Sequence, residues 1–152
     1  MDKKSIMAIV IIILIFIIGF MAFNQFSNPS NQVKVGNATF TLPEGFHEGT
    51  ITEEGYTNIT NGYDTYIIRD NGADNTTKYV KQYVKNKQKD NITVHVKNFT
   101  VNDTVVYKAS LTNHTNVAHY WFDYNGEVYS ITTANANKNT NKFVTDVISS
   151  VN

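Results

Sequence analysis

Cysteine is absent from this chain of 152 residues, proline occurs only twice, and charged residues make up only 17% of the sequence. Without cysteine the protein has no disulfide bonds, no thiolate metal sites and no cysteine nucleophile. The formal net charge is zero, so no overall basic field favours nucleic acid, and we expect no nucleic-acid partner. The chain also lacks a Gly-rich phosphate loop and a serine-nucleophile motif, which argues against an enzyme.

Amides, hydroxyls and aromatic rings take the place of charge in this sequence. The chain has 20 Asn and 18 Thr, together with nine Tyr and nine Phe. β-Branched and aromatic residues favour strands, because their side chains pack well on a pleated surface. The composition therefore predicts a β-rich domain whose solubility depends on Asn and Thr.

An apolar run at residues 6–23 stands out near the start of the chain. Its 18 residues carry no charge, and as a helix they would span about 27 Å, which is close to the hydrocarbon thickness of a bilayer. Lys3 and Lys4 precede the run, and the next cationic residue is Lys34. Because positive residues stay on the cytoplasmic side, we expect a single-pass helix with its N-terminus inside.

The hydrophobic run also sets the expected domain organisation. We predict a cytoplasmic N-terminus at residues 1–5, a transmembrane helix at 6–23, a polar linker at 24–32 and one extracytoplasmic domain at 33–152. The predicted location is therefore the cell membrane. The alternative is a cleaved signal peptide, although its apolar core is normally only about 7–15 residues long.

The clearest local signal in the domain is a hairpin at Asn125 and Gly126, since both residue types tolerate the positive φ of a type I′ turn. A two-residue loop places Phe122 opposite Tyr129, and it places Tyr120 opposite Ile131 two positions further along. We expect these four aromatic and aliphatic side chains to face the core.

Two segments have the apolar spacing of helices. The first is capped by Asp74 or Asn75 and runs to about Gln88, and the second runs from about Asn141 to Val151. Segments with strand patterns occupy most of the remaining domain. The sequence therefore predicts an α+β fold class, in which the N-terminal transmembrane helix is followed by an antiparallel β-sheet packed with two helices.

Five segments in this order resemble the PsbP-like fold family, which photosystem II PsbP and the Ran-binding protein Mog share. The matching segments are Phe40–Phe46, Tyr79–Tyr83, Val105–Ala109, Tyr120–Ile131 and Phe143–Ser150. The resemblance covers most of the predicted domain and rests on apolar and turn residues rather than on catalytic motifs. It implies an α/β/α sandwich that is used mainly for protein contact, and it assigns no functional residue to this chain.

Asn-x-Ser/Thr sequons are numerous in the chain. Composition alone predicts about three, and seven occur, which makes these asparagines candidate glycosylation sites in an extracytoplasmic domain. The alternative is that a chain rich in Asn and Thr forms sequons by chance. The seven asparagines are Asn37, Asn58, Asn75, Asn91, Asn98, Asn102 and Asn113.

A candidate interaction surface combines lysines of the first predicted helix with the single tryptophan. Lys78, Lys81 and Lys85 lie opposite the apolar stripe of that helix, and Trp121 lies in the aromatic hairpin. The lysines are also compatible with a simple solvated face or with contact to anionic lipid headgroups. Trp121 is equally compatible with the core.

Metal and cofactor sites find no support in the sequence. The four histidines lack the spacing of metal ligands. The Asp70–Asn75 segment has the oxygen-rich start of a calcium loop, but Lys81 occupies the position where such a loop requires a bidentate Glu. We therefore expect no metal and no cofactor.

The functional expectation is a membrane-anchored extracytoplasmic domain without catalytic activity. Its role would be structural or protein interaction, with an unknown protein partner. The alternative is a small-ligand-binding or sensory module with a pocket between sheet and helix, and an enzyme is less favoured than either.

Overall fold

The structure, a computed structural model, describes residues 31–152, which are built mainly from β-strands. In chain order the elements are β1 (Gln32–Val35), β2 (Ala38–Thr41), β3 (His47–Ile51), β4 (Thr57–Thr60), β5 (Thr65–Ala73), α1 (Thr76–Lys89), β6 (Val94–Val101), β7 (Thr104–Leu111), β8 (His114–Tyr124), β9 (Glu127–Thr133) and α2 (Thr140–Ser149).

Seven strands form one antiparallel sheet in the order β3-β4-β5-β9-β8-β7-β6, and β1 pairs with β2 in a separate hairpin. The two edges of the large sheet are therefore β3 and β6. The pairing of β6 with β7 is uninterrupted from Val94 to Val101, whereas the pairing of β3 with β4 shifts register between Glu48 and Ile51.

The predicted hairpin is confirmed in its register and in its turn. Phe122 pairs with Tyr129 and Tyr120 pairs with Ile131, and all four side chains are fully buried. The φ angles at Asn125 and Gly126 are 53° and 79°, as a type I′ turn requires.

One face of the sheet carries the main hydrophobic core. The aromatic rings of the hairpin pack there against α2 and against the β1–β2 hairpin. Phe40 of β2 makes edge contacts with Phe122 and Tyr129 at centroid distances of 6.3 Å and 5.7 Å. Phe143 of α2 stacks on Tyr66 of β5 at 3.7 Å. Aromatic pairs of this kind add to the stabilisation from buried area.

The opposite face of the sheet carries α1. Val80 of this helix forms a second buried cluster with Ala109, Trp121 and Val128. The N-cap at Asn75 is confirmed, because its side chain accepts a hydrogen bond from the Lys78 amide at 3.2 Å.

The predicted α+β class with a transmembrane helix is wrong. The described residues form a mainly β structure with two helices of 14 and 10 residues. No helix within residues 31–152 is long and apolar enough to cross a bilayer. The predicted helix at 6–23 and the predicted cytoplasmic N-terminus at 1–5 lie outside the described residues.

The segment that has the oxygen-rich start of a calcium loop is partly strand. The Asp70–Asn75 segment reads as a turn in the sequence, but β5 continues to Ala73 and pairs there with Glu127 of β9. A register shift between Asp70 and Ala73, with Gly72 at a φ of 78°, accommodates one extra residue on β5. A bulge of this kind keeps a strand paired through a sequence that favours turns.

Candidate functional site

The sheet face that carries α1 is only partly covered by that helix. α1 packs chiefly against β8 and β6, so that β5 and β4 lie to its side. Residues that pair directly across antiparallel strands face the same side of a sheet. Five side chains of this face and its margin form what we call the open-face cluster: Tyr56, Arg69, Tyr83, His119 and Trp121.

Arg69 is the only arginine of the chain and occupies the middle of this face. Its guanidinium carbon lies 3.8 Å from the centre of the Tyr56 ring, which is a close cation–π contact. Its Nε is buried without a hydrogen-bond partner, and within residues 31–152 the guanidinium forms no ion pair. A buried polar atom of a charged group normally has a partner, so Arg69 is unusual in this structure.

His119 lies on β8, on the same sheet face as Arg69 but separated from it by β9, and it has three neighbours. Its Nδ1 shares a hydrogen bond of 3.1 Å with the Thr132 hydroxyl. Its ring is nearly parallel to Trp121, at a centroid distance of 5.6 Å and an angle of 14°, and it contacts Tyr83 at 4.8 Å. These contacts fix the imidazole plane at the edge of α1.

The pKa of His119 is lowered from 6.5 to about 4. Burial is the main cause, and the positive charges of Lys87 and Arg69 lower it further. The imidazole is therefore neutral at neutral pH. Because the charges of Lys87 and Arg69 both disfavour protonation of His119, the electrostatic potential at this part of the sheet is positive.

His119 should make the stability of the fold depend on pH. Its pKa is lower in the folded state, so its contribution is complete above about pH 6.5 and is lost as the pH falls towards 4. Between these values the unfolding free energy of the wild type should fall more steeply than that of H119Q, as measured by urea unfolding at half-unit pH steps. Parallel pH profiles for the two proteins would show that the folded-state pKa is not lowered.

Tyr83 closes the cluster from the helix side. Its hydroxyl is buried without a hydrogen-bond partner, and burial raises its pKa. Its ring lies against Trp121 at 5.0 Å, and the Lys87 ammonium lies 5.7 Å from its centre. The cluster therefore contains one cation, Arg69, together with a neutral imidazole and three aromatic rings, and the Lys87 ammonium lies beside it.

Carboxylates are scarce on this side of the sheet. On β5, β8 and β9 as described, Asp123 is the one carboxylate on this side of the sheet, and it lies towards the hairpin turn. His119 has a threonine hydroxyl rather than a carboxylate on its Nδ1, so the histidine–carboxylate pair of a Ser-His-Asp triad is not formed at this residue. No group of three or more potential metal ligands occurs within residues 31–152.

The candidate surface from the sequence is divided between two sides of α1. Lys81 and Lys85 are exposed, and Lys78 pairs with Asp74 at 3.0 Å. The three lysines line a shallow depression of about 420 Å³ on the outer side of the helix. Trp121 lies beneath the helix with 6% of its surface exposed. The lysines and Trp121 therefore do not share one surface.

The sequons are almost all accessible. Asn58 is half-buried, and the other six asparagines are exposed. Asn37, Asn75, Asn91, Asn98, Asn102 and Asn113 are the exposed set.

Sequence reasoning did not single out Arg69, Tyr56, Tyr83 or His119 as a site. One signal was present, because Arg69 is the only arginine and alternates along β5 with the buried Tyr66 and Ile68. This alternation places Arg69 on the face opposite the main core. The placement of Arg69 and His119 on one face of the same sheet depends on strand order, which the pattern does not reveal.

Comparison of the sequence with protein-family models and with characterised proteins finds no match. The fold is similar to the solution structure of cyanobacterial PsbP (CyanoP) from Synechocystis sp. PCC 6803, with a TM-score of 0.49 and 9% sequence identity. The similarity covers 83% of this chain and 94% of CyanoP. The resemblance to the PsbP-like fold is thereby confirmed, and at this identity it concerns the fold alone.

Proposed function

We propose that this domain is a non-catalytic protein-interaction domain that binds an acidic segment of a partner protein on the open-face cluster. The observation that carries the proposal is the unpaired Arg69 guanidinium, held in the middle of a partly uncovered sheet face. An arginine that is fixed in place without an internal partner is suited to an external anion.

Stacking on Tyr56 orients the guanidinium for recognition. A guanidinium is planar and presents its N–H groups as a fork, which matches the two oxygens of a carboxylate. Arg69 is half-buried and its Nε is enclosed, so its terminal nitrogens are the part that reaches solvent. Because Tyr56 already restricts the side chain, little conformational entropy remains to be lost on binding.

The shape of the face favours a polypeptide over a small molecule. β5 and β4 lie beside α1, and neighbouring strands are about 4.8 Å apart, so the uncovered area is broad and shallow. Thr60, Thr65 and Ile67 continue this face away from Arg69, and they supply hydroxyls and an apolar contact. Small-molecule sites are normally concave and bury most of their ligand.

We also propose that the domain acts outside the cytoplasm. The support for this location is the excess of sequons, six of which present an exposed asparagine. Amides and hydroxyls on the surface are compatible with it. The chemistry of the protein partner, an acidic segment, is what the peptide titration below tests.

Replacing Arg69 by lysine is the direct test of the proposed function. Peptides containing clustered Asp and Glu are titrated into the full chain by calorimetry, with the corresponding Asn and Gln peptides for comparison. We expect R69K to weaken acidic-peptide binding by about tenfold or more, since a hydrogen bond to a charged group contributes about 1.5–3 kcal/mol. Lysine keeps the charge and loses the fork, so the loss reports on bidentate recognition.

K81Q is the matched control, because it removes one positive charge from the exposed outer side of α1. It should bind acidic peptides as the wild type does. Equal affinity of wild type and R69K, or equal affinity for acidic and amide peptides, would contradict the proposal. Binding of free glutamate as tight as that of the peptides would indicate a small-ligand site instead.

A further inference from the structure

Four of the seven sequons follow one edge of the large sheet. Asn98 lies in the middle of β6, Asn91 precedes this strand, and Asn102 lies in the turn between β6 and β7. Asn113 lies in the turn between β7 and β8. Because β6 and β7 are paired over their full lengths, that turn lies beside the first residue of β6. The four asparagines therefore mark both ends and the middle of one edge.

The carboxamides of these four asparagines are exposed, and within the described part of the chain none of them forms a side-chain hydrogen bond. Asn91 and Asn102 have φ angles of 57° and 45°, so both lie in tight turns. A free, protruding carboxamide is the form in which an asparagine is accessible to a modifying enzyme.

The other three sequon asparagines are already engaged or partly covered. The Asn37 side chain donates to Glu127 Oε1 at 2.9 Å. The Asn75 side chain caps α1 by accepting from the Lys78 amide at 3.2 Å. Asn58 is half-buried on β4, which is flanked on both sides by other strands. The structure therefore separates the seven sequons into two groups, a distinction that the sequence does not make.

The edge that the four asparagines follow has little protection of its own. β6 keeps eight residues in uninterrupted register with β7, and nothing in residues 31–152 pairs with its outer side. Long regular edges pair readily with other strands, and proteins usually block them with charges, proline or bulges. Lys97 is the one Lys, Arg, Asp or Glu in β6, and the strand contains no proline. The other edge, β3, is shorter and has a register shift.

We propose that Asn91, Asn98, Asn102 and Asn113 carry N-linked glycans that prevent the β6 edge from pairing with the same edge of a second copy. The proposal rests on the extracytoplasmic location proposed above. In the transfer step the asparagine Nδ2 forms a bond to C1 of the sugar. The bond between C1 and the phosphate oxygen of a lipid-linked oligosaccharide donor breaks, its electron pair stays on the departing phosphate, and the proton that the amide loses passes to solvent. No oxidation or reduction is involved.

Glycopeptide mass spectrometry of the full chain, purified from the cells that produce it naturally, tests the choice of sites. We expect glycans at Asn91, Asn98, Asn102 and Asn113, and we expect Asn37, Asn58 and Asn75 to be unmodified. Absence of glycan from the first group would overturn the proposal. Equal modification of both groups would also overturn it, because the folded structure would then not select the sites.

Two substitutions at Thr100 test the role of the central glycan. T100S retains the Asn98 sequon and T100A removes it, while both change the same exposed residue of β6. In sedimentation experiments on the glycosylated full chain, we expect T100A to self-associate about tenfold more strongly than T100S. Equally weak association of the two variants would show that the glycan does not protect this edge.

In a second experiment, all glycans are removed enzymatically from the wild type. Self-association of this deglycosylated protein should exceed that of T100A. An unchanged sedimentation profile would count against edge protection. Peptide binding at Arg69 does not depend on glycans, so it can succeed or fail independently of these results. The two proposals are therefore distinguishable.

Discussion

Replacement of Phe122 by alanine is expected to lower the free energy of unfolding by about 3–5 kcal/mol. Phe122 is fully buried, stacks on Tyr129 at a centroid distance of 5.8 Å and meets the edge of Phe40 at 6.3 Å. Alanine removes both ring contacts and leaves a cavity between the sheet and the β1–β2 hairpin. The measurement is urea or guanidinium unfolding followed by circular dichroism.

A loss of this size is a large part of the stability of a typical domain, so we expect F122A to be only partly folded at equilibrium. F122L provides the second variant, because it retains most of the volume and should show a smaller loss of the same sign. Y63A is the control, since the Tyr63 side chain is 90% exposed and should change stability by less than about 0.5 kcal/mol. Similar losses for F122A and Y63A would contradict the assignment of Phe122 to the core.

The Phe122 variants also separate stability from binding. Phe122 and Arg69 lie on opposite faces of the sheet. F122L should therefore be less stable than the wild type and still bind acidic peptides with similar affinity under conditions where it is folded. R69K should show the reverse behaviour, with weak peptide binding and little loss of stability. This contrast distinguishes a surface site from a general effect of unfolding.

The second large effect is expected at Gly36, in the turn between β1 and β2. Gly36 has a φ of +58°, and a Cβ at this position would overlap Asp70 Oδ2 and lie 2.9 Å from Asp70 Cβ. The Asp70 side chain is held in place, because its Oδ1 accepts a hydrogen bond from the Gly72 amide at 2.7 Å. G36A should destabilise the fold by about 2–5 kcal/mol, from left-handed backbone strain together with overpacking.

Gly45 provides the matched control for backbone strain. Its φ is +84°, but no heavy atom lies within 4 Å of a Cβ built there. G45A should therefore show only the cost of a left-handed alanine, about 1–2 kcal/mol. The difference between G36A and G45A measures the contact with Asp70. If that contact is the cause, D70A should recover part of the stability of G36A, and additive losses in the double variant would contradict it.

The local pattern of the sequence was sufficient for several elements. The Asn125–Gly126 turn specified its hairpin in exact register, because a two-residue loop with positive φ at both positions leaves one pairing. The Asn75 cap and the apolar stripe specified where α1 begins. Both signals act within a few residues, so no information about distant strands is needed.

The fold class was wrong because its balance depends on tertiary pairing. A bulge lets β5 continue through a sequence with turn character, and seven strands join into one sheet. The sheet therefore contributes more of the described domain than the helices do. The transmembrane helix that completed the predicted class lies outside residues 31–152, and the described helices cannot span a membrane.

The candidate site shows the same limit. The sequence indicated Lys78, Lys81, Lys85 and Trp121, but α1 turns the lysines towards solvent and covers Trp121. Arg69 contacts Tyr56, and His119 lies on the same sheet face two strands away, because β9 inserts between β5 and β8. Such an insertion results from long-range pairing, which periodicity along one segment does not encode.

By itself, the sequence determined the absence of cysteine chemistry and the positions of the seven sequons, because both depend only on residue identity. It also determined the hairpin register and the start of α1, because both depend on neighbours in the chain. Only the tertiary structure decided which sequons follow the β6 edge and which side chains surround Arg69. The physical reason is that strand order sets distances between residues far apart in sequence. The hydrophobic pattern of a strand shows which face is buried, but it does not show which strand lies alongside.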